Sequence, residues 1–279
     1  MKRTKPIIIT GMHRSGTTLI VKLLENNGVY FGSYQDSNKE SVFFQRINRW
    51  LVSFNNSYWD NPKAFNLLIE NDKDLVVSKL KKTISNKILN LFYFGIINTF
   101  KNNNFENFSN PWGFKDPLNT FTLDLWKKIF PDLCVVNIVR NPLDVSCSLI
   151  NRQNKLKKKD IANINSFFDS FIQFLSIYRG GIYRSLKINT INDSLELYKK
   201  YYDQTKINNS KGIKQLNMKF EDLINNTDDE ILKLYNFCGV RNFDLNNDCK
   251  MVDKNIINKY KDSDIEYNKK LLESISYDD

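Results

Sequence analysis

The chain has 279 residues, 41% hydrophobic and 13% aromatic, a composition that predicts one globular domain with a substantial core over residues 1–279. Lysine and arginine exceed aspartate and glutamate by 41 to 31, and the formal charge of +10 favours an anionic partner such as a nucleotide, a nucleic acid, an acidic glycan or a membrane surface. A single histidine, His13, excludes a Ser-His-Asp triad and a multi-histidine metal site, while four dispersed cysteines indicate neither a metal site nor a disulfide framework.

The first predicted element is a short buried strand that leads into a glycine-bracketed loop and a helix. The strand begins at Ile7, and the loop runs from Gly11 to Gly16, at the spacing of a nucleotide-binding P-loop. Backbone N–H groups in such a loop, together with the dipole of the following helix, hold anionic oxygens. Thr17 stands where a nucleoside-triphosphate P-loop carries lysine, and the positive charge is instead Arg14, inside the loop. The pattern therefore predicts a phosphate cradle for a different anion.

Hydrophobic positions repeat at helical spacing in three stretches that follow this loop. These predicted helices cover residues 17–27, 40–54 and 74–100. The asparagine-rich stretches 55–62 and 101–111 are predicted loops. This part of the chain is therefore expected to be mainly helical.

Two further strand signals lie in the middle of the chain. Residues 112–117 predict a short strand closed by a proline, and residues 133–139, rich in β-branched side chains, predict a second buried strand. Asn141 and Pro142 are typical of the cap and the first residue of a helix, which we expect to reach about residue 150. Because the carboxyl ends of parallel strands meet at one edge of a sheet, the polar residues after these strands predict a ligand site there.

The remaining predicted elements are four helices and one strand. The helices cover residues 122–130, 163–186, 194–202 and 228–238, and the strand covers residues 214–220. The stretch 163–186 is broken by Gly180-Gly181. Residues 241–279 are lysine-rich and weakly periodic, which predicts a helical or loop extension. Strands that alternate with helices predict an α/β fold with a central, mainly parallel sheet and many peripheral helices.

Three separated segments carry motifs that occur together in one family. Residues 11–18 read Gly-Met-His-Arg-Ser-Gly-Thr-Thr, residues 139–148 place an arginine at a strand end with a serine eight positions later, and residues 220–223 read Phe-Glu-Asp-Leu. In this order they resemble the sulfotransferases that use 3′-phosphoadenosine-5′-phosphosulfate (PAPS). The loop at residues 11–18 is similar to the Gly-Met-His-Arg-Ser-Gly-Thr sequence of bacterial members. The resemblance covers about residues 7–240 and implies a P-loop fold of three α/β/α layers.

The resemblance implies which residues bind the donor. The 5′-phosphosulfate would be held by the loop and the start of the following helix, that is by Gly11, His13, Arg14, Ser15, Gly16, Thr17 and Thr18. Arg14 would also neutralise charge on the departing phosphate. Arg140 and Ser148 resemble the residues that bind the 3′-phosphate, the alternatives being a salt-bridged arginine and a packed serine. Phe220 stands where relatives carry a tyrosine that stacks on adenine, and a core phenylalanine is its alternative.

The resemblance also indicates catalytic side chains outside the loop. Lys115 resembles the lysine that contacts the sulfonyl and bridging oxygens, and a lysine at the end of an apolar strand is poorly explained as solvated surface. Glu40 is the candidate general base, because its Glu-Ser-Val-Phe-Phe segment resembles the one in which glycan-modifying relatives carry a glutamate. Pro117 stands where cytosolic relatives carry a catalytic histidine. A charge at a helix N-terminus is the alternative for Glu40, and Gln45 and Asp116 are weaker candidates.

The predicted activity is a metal-independent transfer of a sulfuryl group from PAPS to a hydroxyl acceptor, with 3′-phosphoadenosine-5′-phosphate (PAP) as product. The acceptor is expected to be a carbohydrate or small metabolite, or a glycolipid. One alternative is a P-loop kinase of a small metabolite, which would need a lysine after Gly16 and an acidic magnesium ligand at a strand end. The other is a non-catalytic basic protein that binds nucleotide or nucleic acid.

The basic and apolar segments also bear on location and partners. Gly11 interrupts the first apolar stretch, so neither a signal peptide nor a membrane span is predicted, and a cytoplasmic location is expected. No nucleic-acid partner is expected. The lysine-rich run 155–159 fits a solvated face better than a binding patch. Lys250, Lys254 and Lys259 are candidates to close over the donor.

Overall fold

The computed structural model of the chain has an α/β fold with a central parallel sheet. It describes residues 5–53, 57–62, 65–100, 104–176, 181–262 and 265–277. The strands are β1 (Ile7–Thr10), β2 (Gly113–Lys115), β3 (Cys134–Val139) and β4 (Gln215–Lys219). They pair in the order β2-β1-β3-β4, and every pairing is parallel. The carboxyl ends of the strands therefore meet at one edge of the sheet, as the sequence predicts.

The central strands are built from β-branched residues because helices cover both of their faces. Ile8, Ile9, Val135 and Val136 are completely buried, and Ile7 is nearly so. The register pairs Ile7 with Gly113 on one side. Gly113 is a glycine for a steric reason, because a Cβ atom there would lie 2.2 Å from the carbonyl oxygen of Ile7. Gly113 thus allows β1 and β2 to approach closely at the first pair of their register.

The described part of the chain contains helices between and after these strands. They are α1 (Thr17–Asn26), α2 (Val42–Ser53), α3 (Phe65–Ser85), α4 (Lys87–Phe100), α5 (Asn119–Ile129), α6 (Pro142–Ala162), α7 (Phe167–Phe174), α8 (Ile191–Ser210), α9 (Phe220–Asn225), α10 (Thr227–Cys238), α11 (Leu245–Cys249) and α12 (Lys269–Glu273). Two turns of 3₁₀ helix cover Lys254–Ile256 and Lys259–Asp262. None of the helices in the ranges described here combines the length and the apolar character needed to cross a membrane.

Several predicted elements differ in extent from those in the structure. The helix predicted over 74–100 is two helices, because the side chain of Asn86 accepts hydrogen bonds from the backbone N–H groups of Ile88 and Leu89 and starts α4. Gly95, at φ 72°, then interrupts α4. Of the helix predicted over 163–186, only Phe167–Phe174 is helical in the described residues. A local cap or a left-handed residue therefore overrides the apolar spacing in these stretches.

The start of α6 follows the prediction, whereas its length does not. The side chain of Asn141 accepts hydrogen bonds from the N–H groups of Leu143 and Asp144, and Pro142 is the first helical residue. The helix continues well beyond the expected residue 150. Parts of the stretches predicted over 40–54, 55–62, 101–111 and 163–186 lie outside the described residues, at 54–56, 101–103 and 177–180.

Contacts divide the chain into two compact units. The first is drawn from residues 1–140 and 200–257, and it contains the whole sheet. The second is drawn from residues 141–199 and 258–279. Within the second unit, the Asp144 carboxylate accepts hydrogen bonds from the backbone N–H groups of Asn258 and Tyr260 at 2.8 and 3.1 Å. The expectation of a single domain over 1–279 stays a prediction.

Candidate active site

The loop between β1 and α1 is too closely packed to carry side chains at its two ends. Gly11 and Gly16 have φ angles of 135° and 101°, which L-residues with a Cβ atom rarely adopt. A Cβ atom on Gly11 would lie 2.4 Å from the carbonyl oxygen of Ile138, and one on Gly16 would lie 2.3 Å from the ring of Phe220. Both predicted glycine positions are therefore required by the shape of the loop.

Residues inside the loop hold its backbone in place. The Ser15 hydroxyl donates to the carbonyl of Met12 at 2.7 Å, so this side chain braces the loop from within. Arg14 has a φ of 73°, a left-handed conformation that is uncommon for a residue with a side chain. Its side chain is exposed, whereas Thr17 is buried at the start of α1. The arginine side chain thus lies at the surface of the loop.

The N-terminus of α1 has the features of an anion site. Gly16 is its cap residue, no side chain caps the helix, and its first turn contains no acidic residue. The first N–H groups of a helix have no partner within the helix, and the positive end of the helix dipole lies there. An anion bound in the loop would satisfy both the donors and the dipole.

A buried ion pair lies at the same edge of the sheet. The Nζ atom of Lys115, the last residue of β2, is 2.9 Å from Oε1 of Glu40, which precedes α2. The two side chains are only 3% and 7% exposed. Burial of an ion pair is tolerated only when further hydrogen bonds satisfy the remaining polar groups. The surroundings of the pair supply these bonds.

The turn that carries Glu40 is held by side chains that sequence reasoning did not single out, apart from Gln45. The Asp36 carboxylate accepts hydrogen bonds from the backbone N–H groups of Asn38 and Glu40, each at 2.9 Å. The Gln45 amide donates to Oε2 of Glu40 at 2.9 Å and to Asp36 at 3.3 Å. Gln45 therefore orients the carboxylate of Glu40. The Asp-Ser-Asn composition of residues 36–38 is typical of such a turn and was the available signal.

One backbone carbonyl joins the ion pair to the loop. The oxygen of Asn38 accepts a hydrogen bond from Nζ of Lys115 and another from the hydroxyl of Thr18, each at 3.0 Å. Thr18 belongs to the first turn of α1. The structure therefore brings together Lys115, Glu40 and the loop between β1 and α1, three features that the sequence presents far apart.

Asp116, the weaker candidate for the base, lies in a buried turn. Its carboxylate accepts hydrogen bonds from the backbone N–H of Leu118 at 2.9 Å and from the side chain of Asn48 at 3.0 Å. Burial, together with the negative charge of Glu40, raises the pKa of the Asp116 carboxyl from 3.8 to about 7. Asn48 is itself completely buried and was not predicted as a site residue. These contacts favour a structural role for Asp116 at the start of α5.

Arg140 lies beside the loop, at the end of β3. Its guanidinium carbon is 4.7 Å from the centre of the Phe220 ring. Its Nη1 and Nη2 atoms donate to the backbone carbonyls of Arg14 at 3.4 Å and of Ile256 at 2.5 Å. The Phe220 ring belongs to the hydrophobic core. Phe220 is the first residue of α9, whereas the sequence predicts it as the last residue of a strand. Its burial between Gly16 and Arg140 favours the core-packing alternative over stacking on a base.

The other predicted donor residues lie in different settings. The ring of His13 packs against Trp59 and Tyr201, with centroids 4.8 and 6.4 Å away. This aromatic setting agrees with a positioning role. Ser148 is a half-buried residue of α6, in the second unit, and its part in donor binding stays a prediction. The described residues contain no cluster of His, Cys, Asp and Glu side chains that could hold a metal ion.

The chain is similar to known sulfotransferases over most of its length. The model of the Sulfotransferase family matches residues 6–244. The chain is also similar to the solved sulfotransferase domain from the curacin biosynthetic pathway, with 12% identity, a TM-score of 0.51, and 98% of this chain and 96% of that chain covered. Sulfotransferase STF9 from Mycobacterium avium has 13% identity and a TM-score of 0.49, with 99% and 76% covered. Comparison with curated proteins gives no match. At 12% identity, the likeness to the curacin domain shows a shared fold.

Proposed function

The chain belongs to the sulfotransferase family, and we propose that it transfers a sulfuryl group from PAPS to a hydroxyl of a carbohydrate, a glycolipid or a small metabolite. The observation that carries this proposal is the buried pair of Lys115 and Glu40, joined to the phosphate loop through the carbonyl of Asn38. A cation and a carboxylate held beside an anion site are the two groups that transfer to a hydroxyl requires.

The residues of the loop fit a phosphosulfate group. The uncapped start of α1 offers backbone N–H groups, Arg14 adds an exposed positive charge, and Thr17 adds a hydroxyl. The hydroxyl of Thr18 donates to the carbonyl of Asn38, so Thr18 would contribute its backbone N–H. Bound there, PAPS would supply the activated sulfuryl group and a phosphate leaving group. A side chain on Gly11 would meet the carbonyl of Ile138 and one on Gly16 would meet the ring of Phe220, so the two glycines keep the loop packed against β3 and α9.

Glu40 is proposed as the general base. It would accept the proton of the acceptor hydroxyl on a carboxylate oxygen, which leaves the acceptor oxygen able to form the new bond to sulfur. Gln45 holds the second carboxylate oxygen at 2.9 Å and so fixes the direction in which Glu40 points. A carboxylate oriented in this way needs no histidine, which agrees with Pro117 at the position of the catalytic histidine of cytosolic relatives.

Lys115 is proposed to stabilise the negative charge that develops on the leaving group. Its ammonium is paired with Glu40 in this structure. Once Glu40 takes up a proton, the charge of Lys115 is no longer balanced by that carboxylate, and it can be directed to the departing oxygens. The ion pair thus couples proton removal to stabilisation of the leaving group.

Arg140 is proposed to bind the 3′-phosphate. Its planar guanidinium suits the oxygens of a phosphate, and the Phe220 ring beneath it holds the group beside the loop. Recognition of a second phosphate would distinguish PAPS from ordinary adenine nucleotides.

The donor assignment is tested by thermal unfolding in the presence of nucleotides. We expect PAP to raise the melting temperature more than ADP, or ATP with magnesium, at equal concentration. Equal or greater stabilisation by ATP with magnesium would contradict the proposal and favour a P-loop kinase. Direct transfer of labelled sulfate to a panel of sugars and small hydroxyl compounds would then identify the acceptor class.

A further inference from the structure

Helix α7 presents its apolar stripe to solvent. Phe167, Phe171 and Phe174 stand at positions i, i+4 and i+7, which places them on one face of the helix. Their side chains are 86%, 49% and 83% exposed. A stripe with this spacing normally packs against the core. In α7 the side chain that is buried is instead Ile172, which leaves the aromatic face outward.

Exposed apolar side chains extend this face to the end of α6. We define the apolar patch as the six residues Ile161, Ile164, Phe167, Phe168, Phe171 and Phe174, all of which are exposed. Single exposed apolar residues are ordinary, but a contiguous group of this kind marks an interaction surface. All six residues belong to the second unit.

Lysines border the apolar patch. Lys155, Lys157, Lys158 and Lys159 are exposed on the last turns of α6, directly before Ile161. Lys157 also lines a surface depression of about 370 Å³ together with Ile161 and Ile164 of the patch. The positive charges and the apolar side chains therefore meet on one side of this unit.

The acidic residues of this region are engaged by other groups. Asp160 lies 3.8 Å from Nε of Arg184 and accepts a hydrogen bond from the backbone N–H of Tyr183 at 3.1 Å. The carboxylate of Asp169 accepts a hydrogen bond from the hydroxyl of Tyr183 at 3.2 Å. With four lysines bordering the patch and Asp160 balanced by Arg184, the border of the patch keeps a positive charge.

We propose that the apolar patch and its lysines bind the surface of an anionic lipid bilayer. Phenylalanines on one face with lysines beside them are the composition of elements that lie at a bilayer interface, where the rings enter the boundary between headgroups and acyl chains. The lysines would meet anionic headgroups, whose surface potential attracts basic clusters. Charge complementarity favours this occupant over an apolar protein surface. The inference is independent of the proposed catalytic function.

Sedimentation with lipid vesicles tests the proposal. The full chain should sediment with vesicles of phosphatidylcholine that contain about one third phosphatidylglycerol, and much less with phosphatidylcholine alone. Raising the salt concentration should weaken binding, because ions screen the lysine charges. The variant Lys157→Gln/Lys158→Gln should lower the partition coefficient roughly 30-fold. The control Lys81→Gln/Lys82→Gln, at exposed positions of α3, should leave it unchanged.

The apolar contribution is tested separately. Phe167→Ser/Phe174→Ser should abolish sedimentation with anionic vesicles, and because both rings are exposed the melting temperature should stay unchanged. Ile88→Ser, at an exposed position of α4, is the matched control and should bind as the parent chain does. The proposal is overturned if the parent chain stays in the supernatant, if it binds both vesicle types equally, or if the phenylalanine variant still binds. A parent dimer that this variant converts to monomer, without vesicle binding, would instead assign the patch to a second copy of the chain.

Discussion

Lys115 and Glu40 stand 75 positions apart in the chain, and their side chains form an ion pair of 2.9 Å that is almost completely buried. The pair fastens the turn before α2 to the end of β2. Removal of one partner from a buried pair leaves an uncompensated charge, which costs about 3–5 kcal/mol. Stability and the proposed activity should therefore both depend on this contact, and substitutions can separate the two contributions.

Lys115→Met should abolish sulfuryl transfer and lower the free energy of unfolding by about 3–5 kcal/mol, because it leaves the carboxylate of Glu40 buried without its cation. Urea unfolding and a transfer assay measure the two effects. The double variant Lys115→Met/Glu40→Gln should recover most of the stability and none of the activity. A Lys115→Met variant that is still active would remove Lys115 from the catalytic role.

Glu40→Gln should lower kcat/KM about 10²- to 10⁴-fold, because the amide cannot accept the proton of the acceptor hydroxyl. Binding of PAP, measured by calorimetry, should be retained. Glu25→Gln is the matched control, since Glu25 pairs with Lys39 at 2.8 Å and is not part of the proposed machinery. If Glu40→Gln kept the activity of the parent chain, the proton would have to pass to another group.

The buried carboxyl of Asp116 should make stability depend on pH. Its pKa is raised from an ordinary value of 3.8 to about 7, so between these values the folded chain holds a proton that the unfolded chain has lost. The free energy of unfolding should therefore fall as pH rises through this window, by at most about 1.4 kcal/mol per pH unit for one group. Urea unfolding at several pH values measures the slope.

Asp116→Asn serves as the comparison for that slope. The asparagine cannot titrate, so its curve should be flatter than that of the parent chain between pH 5 and 7. Identical slopes for the two proteins would show that Asp116 does not carry the expected proton.

Gly16→Ala should lower both stability and PAP affinity. The new methyl group would stand 2.3 Å from the ring of Phe220, so the loop or the ring would have to move. Gly28→Ala is a matched control, because Gly28 also has a positive φ, of 83°, yet has open space around it. Calorimetry with PAP and thermal unfolding compare the two variants. If the two variants lost equal amounts of stability and PAP affinity, the effect would come from the backbone conformation and not from the packing of Gly16 against Phe220.

Arg140→Lys should reduce the affinity for PAP about tenfold, because lysine keeps the charge and loses the planar fork of donors. The affinity for ADP, which has no 3′-phosphate, should change much less. Arg46→Lys is the control, since Arg46 also lies over a phenylalanine ring, that of Phe92 at 4.9 Å, but is exposed on α2. A parallel loss of PAP and ADP affinity in Arg140→Lys would contradict recognition of the 3′-phosphate.

The sequence predicts the loop because its signal is local. Gly11 and Gly16 are recognisable by spacing, and a glycine with positive φ is required at both. Lys115 and Glu40 are each recognisable as candidates, yet their contact is not, because it depends on how two distant segments pack. Only the folded chain shows that Asn38, through its carbonyl, links them to Thr18.

Other features escape sequence reasoning for physical reasons that can be named. The apolar residues after Asn163 predict a helical stretch over 163–186 that is broken at Gly180-Gly181, but α7 is short and its aromatic face is exposed. Composition reports which residues are apolar, whereas burial depends on what the rest of the chain places against them. Phe220 illustrates the same limit, because whether it stacks on a ligand or packs under Gly16 is decided by the turn from β4 into α9.

The strand order has a consequence for how the chain folds during synthesis. β1 pairs with β2 and β3 but with no strand near it in sequence, and the hydroxyl of Thr10 donates to the side chain of Asn137, 127 positions later. Contacts of such long range make folding slow and leave apolar segments exposed until their partners are made. On a ribosome, β1 would wait for most of the first 140 residues to emerge. The nascent chain would complete the loop between β1 and α1 only at that late stage, and until then the three isoleucines of β1 would be a target for chaperones.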